Sequence, residues 1–207
     1  MPCAQCVYRA GVIDFDGAWL GVEAARRLAE ADCCEIAPGL TEEEFSRIEG
    51  TYEFEFSPEH RALAGLPVAS PPEEGATWKQ PWPDWRHAGE DDLRHRLEWP
   101  VRGVLVGVAH GDWHPALGAR PTSSDEAVEV ARAVLARAPR LVPVYAHRFL
   151  PAGRDTPGHP VLSAWGTDII CYGHDLADYI DREFSEVDEN APWAPQASVP
   201  FWKDFLC

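Results

Sequence analysis

Long apolar runs are missing from this 207-residue chain. The longest, such as Gly103–Ala109, have the length of a strand. A membrane-spanning helix needs roughly 18 apolar residues, so no membrane partner is expected. The first residues lack the basic head, apolar middle and small-residue cleavage site of a secretory leader, which makes a cytoplasmic location the expectation. Positive charge is scarce. Lys79 and Lys203 are the only lysines beside 16 arginines, and 18 bases face 34 acids for a net charge of -16. A surface of that sign repels phosphate backbones, so direct nucleic-acid binding is not expected. No Gly-x-Ser-x-Gly elbow, Walker loop or Gly-x-Gly-x-x-Gly fingerprint occurs, and none of the chemistries those strings serve is signalled. There is no internal repeat and no low-complexity tract.

What is present suits a globular chain. Hydrophobic residues make up 45%, and a chain of this length buries a core without staples. Six cysteines occur, Cys3, Cys6, Cys33, Cys34, Cys171 and Cys207. Thiols stay reduced in the cytosol, so no structural disulfide is expected. The acids cluster. Residues 35–60 hold eight of them against Arg47, and residues 168–189 hold eight against Arg182. Such blocks commonly form a solvated face. They also attract a basic protein and speed its encounter.

Apolar spacing of three and four predicts a helix over 19–32, with Leu20, Ala24, Leu28 and Ala31 on one stripe. Thr41 and Glu44 form a capping box for a helix carrying Phe45 and Ile48, with Leu40 and Phe45 as its hydrophobic staple. Tyr52, Phe54 and Phe56 alternate with acids, as in a half-buried strand or extended segment. Ser57-Pro58 opens a short helix. Residues 67–90 are rich in proline and read as a loop. A helix over 90–99 is expected to stop at Pro100. A strand over 103–109 then turns through His110-Gly111-Asp112 into a second strand containing Trp113. Ser123 and Glu126 cap a helix running to Ala138. Strands are expected over 141–150, 160–165 and 167–172, and a helix over 175–184. Val199–Leu206 is an apolar end that docks on the body. Strands joined by short connections favour an α+β fold, a single domain with a central antiparallel or mixed sheet flanked by helices.

His110-x-Asp112-x-His114 is the most suggestive metal set, since imidazole and carboxylate suit zinc or iron. It would serve a metal-dependent hydrolase. Gly111 argues for a turn there, which separates the three side chains, and a polar loop tip is the plainer reading. Cys3-x-x-Cys6 with Cys33-Cys34 offers a zinc knuckle, but the second Cys-x-x-Cys of such a site is missing. No metal or other cofactor is therefore expected, and no catalytic residue stands out. Of nine tryptophans, Trp78, Trp82, Trp85, Trp99 and Trp113 fall within one stretch. Tryptophan anchors interfaces, although core packing is its commoner use.

Several strings in order resemble one family. They begin with Leu40-Thr41-Glu42-Glu43-Glu44-Phe45, Phe54-x-Phe56-x-Pro58 and Trp82-Pro83-Asp84-Trp85-Arg86. They continue with Leu141-Val142-Pro143-Val144-Tyr145, Pro160-Val161-Leu162-Ser163, Thr167-Asp168-Ile169-Ile170, Asp175-Leu176-Ala177-Asp178-Tyr179 and Pro200-Phe201-Trp202. This set is similar to the SUKH superfamily, which holds bacterial immunity proteins and related fungal regulators of cell-wall synthesis. The resemblance covers about residues 39–203. It divides the chain into an N-terminal extension, 1–38, and a SUKH-like α+β domain, 39–207. Asp112 stands where relatives carry a large apolar or aromatic group, and Cys171 where an aromatic is common. The resemblance implies helices around a central sheet and no catalytic apparatus. It implies a module that neutralises a cognate toxin, a nuclease or deaminase, by binding it. A regulatory scaffold is the reading the fungal relatives suggest. A cognate toxin or other basic protein is then the expected partner. The candidate contact residues are Glu42, Glu43, Glu44, Glu53, Glu55, Asp178, Asp181, Glu186 and Asp188, with Trp82 and Trp85 as aromatic anchors.

Overall fold

A computed structural model describes residues 13–64, 68–69, 81–155, 157–185, 193–196 and 198–206. The first helix, α1, is Ile13–Ala31, and its stripe of Ala24, Ala25 and Leu28 is buried. It ends at Asp32, whose φ of 47° is a left-handed conformation that aspartate tolerates. A short strand β1 (Glu35–Ile36) follows and pairs antiparallel with β2 (Val68–Ala69). Between them lie α2 (Glu42–Tyr52) and α3 (Pro58–Ala64). The capping box at α2 forms as the sequence predicts. Thr41 Oγ1 accepts from the Glu44 N–H at 3.2 Å, and Glu44 Oε2 accepts from the Thr41 N–H at 2.7 Å. The Phe54–Phe56 stretch is extended but pairs with no strand among the described residues. Its alternation is real, because both phenylalanines are buried while Glu53 and Glu55 are exposed.

The next segment differs most from expectation. Residues Glu90–Ala109 form one helix, α4, with Pro100 inside it. The expected stop at 100 and strand over 103–109 are both wrong. Proline removes one backbone donor and crowds the preceding turn, yet burial on both sides of it carries the helix through. Leu93 and Leu97 are buried before it, Val104 and Val108 after it. Val104 and Val108 are spaced by four, and a short apolar run reads equally as strand or helix from periodicity alone. The expected hairpin at 110–112 is instead the end of this helix. The Gly111 N–H donates to the Val108 carbonyl and the Asp112 N–H to that of Gly107, with Gly111 at φ 105°. Trp113 then leads into a 3-10 turn at Pro115–Leu117 rather than a strand. Helix α5, Ser124–Leu135, is capped by Ser123.

The chain then builds a four-stranded antiparallel sheet in the order β3 (Leu141–Tyr145), β4 (Arg148–Pro151), β5 (Val161–Trp165), β6 (Asp168–Gly173). The run expected as one strand over 141–150 is a hairpin, turned at Ala146 with φ 45°. Helix α6, Leu176–Phe184, has Asp175 as its N-cap. The fold class is α+β, as expected. One face of the sheet, with Phe149, Leu162, Ala164 and Ile169, packs under α4 and α5. The chain end docks there as predicted, with Trp202 and Phe205 0% and 1% exposed. The opposite face, with Val144, Leu150 and Val161, packs under α1 and α6. The stretch divided off as an N-terminal extension thus contributes Ala24 and Leu28 to the core of the domain. A third cluster joins α2, Phe54, Phe56 and Trp85 to the first half of α4. Among the described residues no helix is long and apolar enough to cross a membrane.

Candidate interaction surface

Carboxylates at the first turn of a helix complement its dipole, which is why Glu42, Glu43 and Glu44 stand together at the start of α2. They do not form a bare acidic face. Arg86 grips Glu44 through Nε at 2.6 Å and Nη2 at 2.9 Å, and with the Thr41 N–H holds its carboxyl at about 2. Glu42 pairs with Arg61. Glu55 lies 3.1 Å from Arg154 Nε, and Arg154 and Arg61 also converge on the buried Glu49. In the second block, Asp178 accepts from Arg182 Nε at 2.7 Å and meets His174 Nδ1 at 2.9 Å. Burial pushes the Asp178 carboxyl up, but the Arg182 and His174 bonds outweigh it and leave it below the ordinary range. Asp181 pairs with Arg27 of α1. Among the described candidates, Glu43 and Glu53 are exposed with no ion-pair partner. Glu186 and Asp188 lie outside the described residues. Tertiary contact thus brings arginines from other elements onto both acidic blocks.

Trp82 and Trp85 are not surface anchors. They are 4% and 3% exposed. Trp82 stacks on Phe184 at 5.5 Å and meets Tyr145 edge-on, while Trp85 packs on Phe54 and Phe56. The proline-bounded segment folds back and buries them, the commoner fate of an indole. The His110, Asp112 and His114 set does not converge either. His110 Nδ1 lies 2.8 Å from the carbonyl of Val106 in its own helix. Asp112 sits against Gly107. His114 Nδ1 accepts from the Ala116 N–H at 3.2 Å, and its ring stacks on Phe205. Each is used in ending one helix or starting the next turn. Among the described residues no three histidines, cysteines or carboxylates gather as metal ligands. Cys33, Cys34 and Cys171 are free thiols. Cys3 and Cys6 lie outside the described residues.

The sheet holds a buried polar centre that the sequence does not announce. Arg148 Nη1 donates to Ser163 Oγ at 3.0 Å, and its guanidinium lies 3.7 Å over the Tyr172 ring. Its Nε is 3.3 Å from Glu183 Oε2. Burial raises the Glu183 carboxyl despite the arginine. It also drives His147 down to about 4, helped by the Arg148 charge. Ser163 Oγ accepts from a cation, and the centre is built around an ion pair under α6.

A surface feature was missed as well. Trp165, at the end of β5, is 47% exposed. It packs on Trp99 at 5.5 Å and on His147 at 5.3 Å. Trp99 is fixed by its Nε1–H donating to the Ala164 carbonyl at 3.1 Å. α4 approaches this turn so closely that a Cβ on Gly103 would stand 3.2 Å from the Gly166 N. Asp168, directly across the strand pair from Trp165, and Ile170 beyond it are exposed too. The only sequence signal was an aromatic residue ending a strand before a Gly-Thr turn. Compared with protein-family models, curated proteins and solved structures, the chain matches none.

Proposed function

We propose that this protein acts by binding a basic protein, in the immunity-type role that the SUKH resemblance implies. The observation that carries the reading is the exposed indole of Trp165, held by Trp99 and His147 and flanked by Asp168, on a chain of net charge -16. A fixed aromatic side chain loses little freedom on docking and makes a strong contact centre. The net negative charge steers a basic partner toward it. The acids named from the sequence contribute through that overall field, since most of them already have an arginine neighbour.

The test is to purify the protein with the product of a toxin gene adjacent to its own and titrate that toxin's activity. Inhibition saturating at one-to-one stoichiometry, with association slowing as salt rises, is expected. Trp165→Ala should weaken the complex by roughly 30-fold, while Trp19→Ala, at another exposed indole, leaves it intact. Failure to form a complex, or turnover of a substrate by this chain alone, would overturn the reading.

A further inference from the structure

On the other side of α4 from Trp165 lies a groove of about 420 Å³ between α4, the end of α5 and the start of β3. Its accessible floor is apolar, with half-buried Val101, Leu105, Ala138 and Pro139. Its rim is cationic: Arg102, Arg132 and Arg140, against Glu98 alone. That sign is opposite to the molecule's net charge. Most arginines among the described residues are held by a carboxylate, as at Arg61, Arg86, Arg154 and Arg182. Around the groove, Arg102 and Arg140 are not, and Arg132 is held only at long range. Arg102 Nη1 faces only His95 Nδ1 at 2.9 Å, and Arg140 Nη1 donates to the Tyr52 carbonyl. The neighbouring Arg137 has no ion-pair partner among the described residues. Arg132 has a single long contact, 3.6 Å to Glu129. In a chain with 34 acids and 18 bases, arginines gathered around one apolar groove with at most one long carboxylate contact are a local exception.

We infer that this groove docks an acidic peptide segment of a partner protein. Its carboxylates meet Arg102, Arg132 and Arg140, and its apolar side chains cover Val101, Leu105 and Pro139. The volume falls in the roughly 300–1,000 Å³ range of clefts that enclose small ligands, so it takes a few side chains rather than a folded surface. The arginines stand on α4, on α5 and just before β3, which matches carboxylates spaced along a chain better than the single head group of a fatty acid. A nucleic-acid strand is disfavoured by the net charge of the whole molecule. The surface lies apart from Trp165, and the inference is independent of the function proposed above.

The test uses the full chain and a fluorescein-labelled synthetic peptide in which pairs of glutamates alternate with leucine and phenylalanine. Anisotropy should show saturable binding that weakens with salt. The same peptide with glutamine for glutamate should bind at least about tenfold more weakly. Arg132→Glu should also weaken binding about tenfold or more. That side chain is 60% exposed and its ion-pair partner Glu129 is exposed as well, so unchanged circular dichroism is expected. Val101→Glu, on the floor, should abolish binding. No saturable binding, equal binding of the glutamine peptide, or binding indifferent to Arg132→Glu would each overturn the inference. So would binding of dodecanoate without the peptide, or a groove filled by self-association that Arg132→Glu dissolves.

Discussion

Glu59→Gln should gain stability relative to the parent protein as pH rises from 4 to 8. Glu59 is fully buried on α3. Its Oε1 accepts from the Gly158 N–H at 3.1 Å, and its Oε2 has no partner among the described residues. α1 presses so closely here that a Cβ on Gly21 would stand 2.3 Å from the Glu59 carbonyl oxygen. Burial pushes the carboxyl from the ordinary 4.5 up to about 7, against the pull of the Gly158 N–H and the Ser57 hydroxyl and with a further push from Asp175. A raised folded-state value means that stability is fully present below about 4.5 and lost as pH rises through about 7. At about 1.36 kcal/mol per pH unit, the ionised carboxylate costs about 3 kcal/mol at pH 8. The amide keeps an acceptor for Gly158 and removes that cost. Its own unpartnered N–H₂ costs about 1–3 kcal/mol, but equally at every pH. The diagnostic is therefore the change in the variant's advantage between pH 4 and 8. His60 beside it is held down at about 3 by burial, and His159 is lowered for the same reason. Both are common to the two proteins and cancel. Urea unfolding followed by tryptophan fluorescence from pH 4 to 9 measures the difference. An advantage for Gln that does not grow by about 2–3 kcal/mol over that range would refute the reasoning.

Trp202→Ala should cost about 3–5 kcal/mol in the same unfolding assay, because the indole is fully buried and its Nε1–H donates to the Pro139 carbonyl at 2.8 Å. Val22→Ser, at a side chain 62% exposed, should stay within about 0.5 kcal/mol of the parent. Gly21→Ala should destabilise by about 1–3 kcal/mol or more, read as a lower melting temperature, since the added Cβ meets backbone that cannot retreat without lifting α1 from α3. Thr41→Ala removes the Oγ1 that accepts the Glu44 N–H, while the residue-41 N–H still reaches Glu44 Oε2, and should cost about 1 kcal/mol. Glu44 is held at about 2 by Arg86, so its pairing persists above pH 4.5 and is lost only as pH falls through about 2, which carboxyl NMR titration follows.

Where two independent sequence signals agreed, the structure followed them. At α2 the cap and the apolar spacing of Phe45 and Ile48 both point to a helix, and a helix forms. At 160–172 two strand-length runs stand on either side of Gly166, and a hairpin results. Around Pro100 the signals conflicted. Proline argued for a stop, while the valines after it fitted either period. The deciding quantity was burial of Val104 and Val108 against Phe149, Leu162 and Ile169, residues far along the chain. The acidic blocks show the same limit for charge. Counting along the sequence sees only Arg47 and Arg182, whereas Arg61, Arg86, Arg154 and Arg27 arrive from other elements. The groove and the Trp165 surface were hidden for this reason, since their residues are separated by tens of positions.

Short-range chemistry was thus fixed by the order of residues alone: the capped helix starts, the strand-length runs on either side of Gly166, the scarcity of bases and the lack of an apolar run long enough to span a membrane. These depend on neighbours within a few positions, whose geometry the backbone dictates. Which acids keep their field, which tryptophans remain in contact with solvent and where arginines stand without a carboxylate were decided only by the packing of distant elements. Screening, burial and ion pairing act through space, and separation along the chain does not encode them.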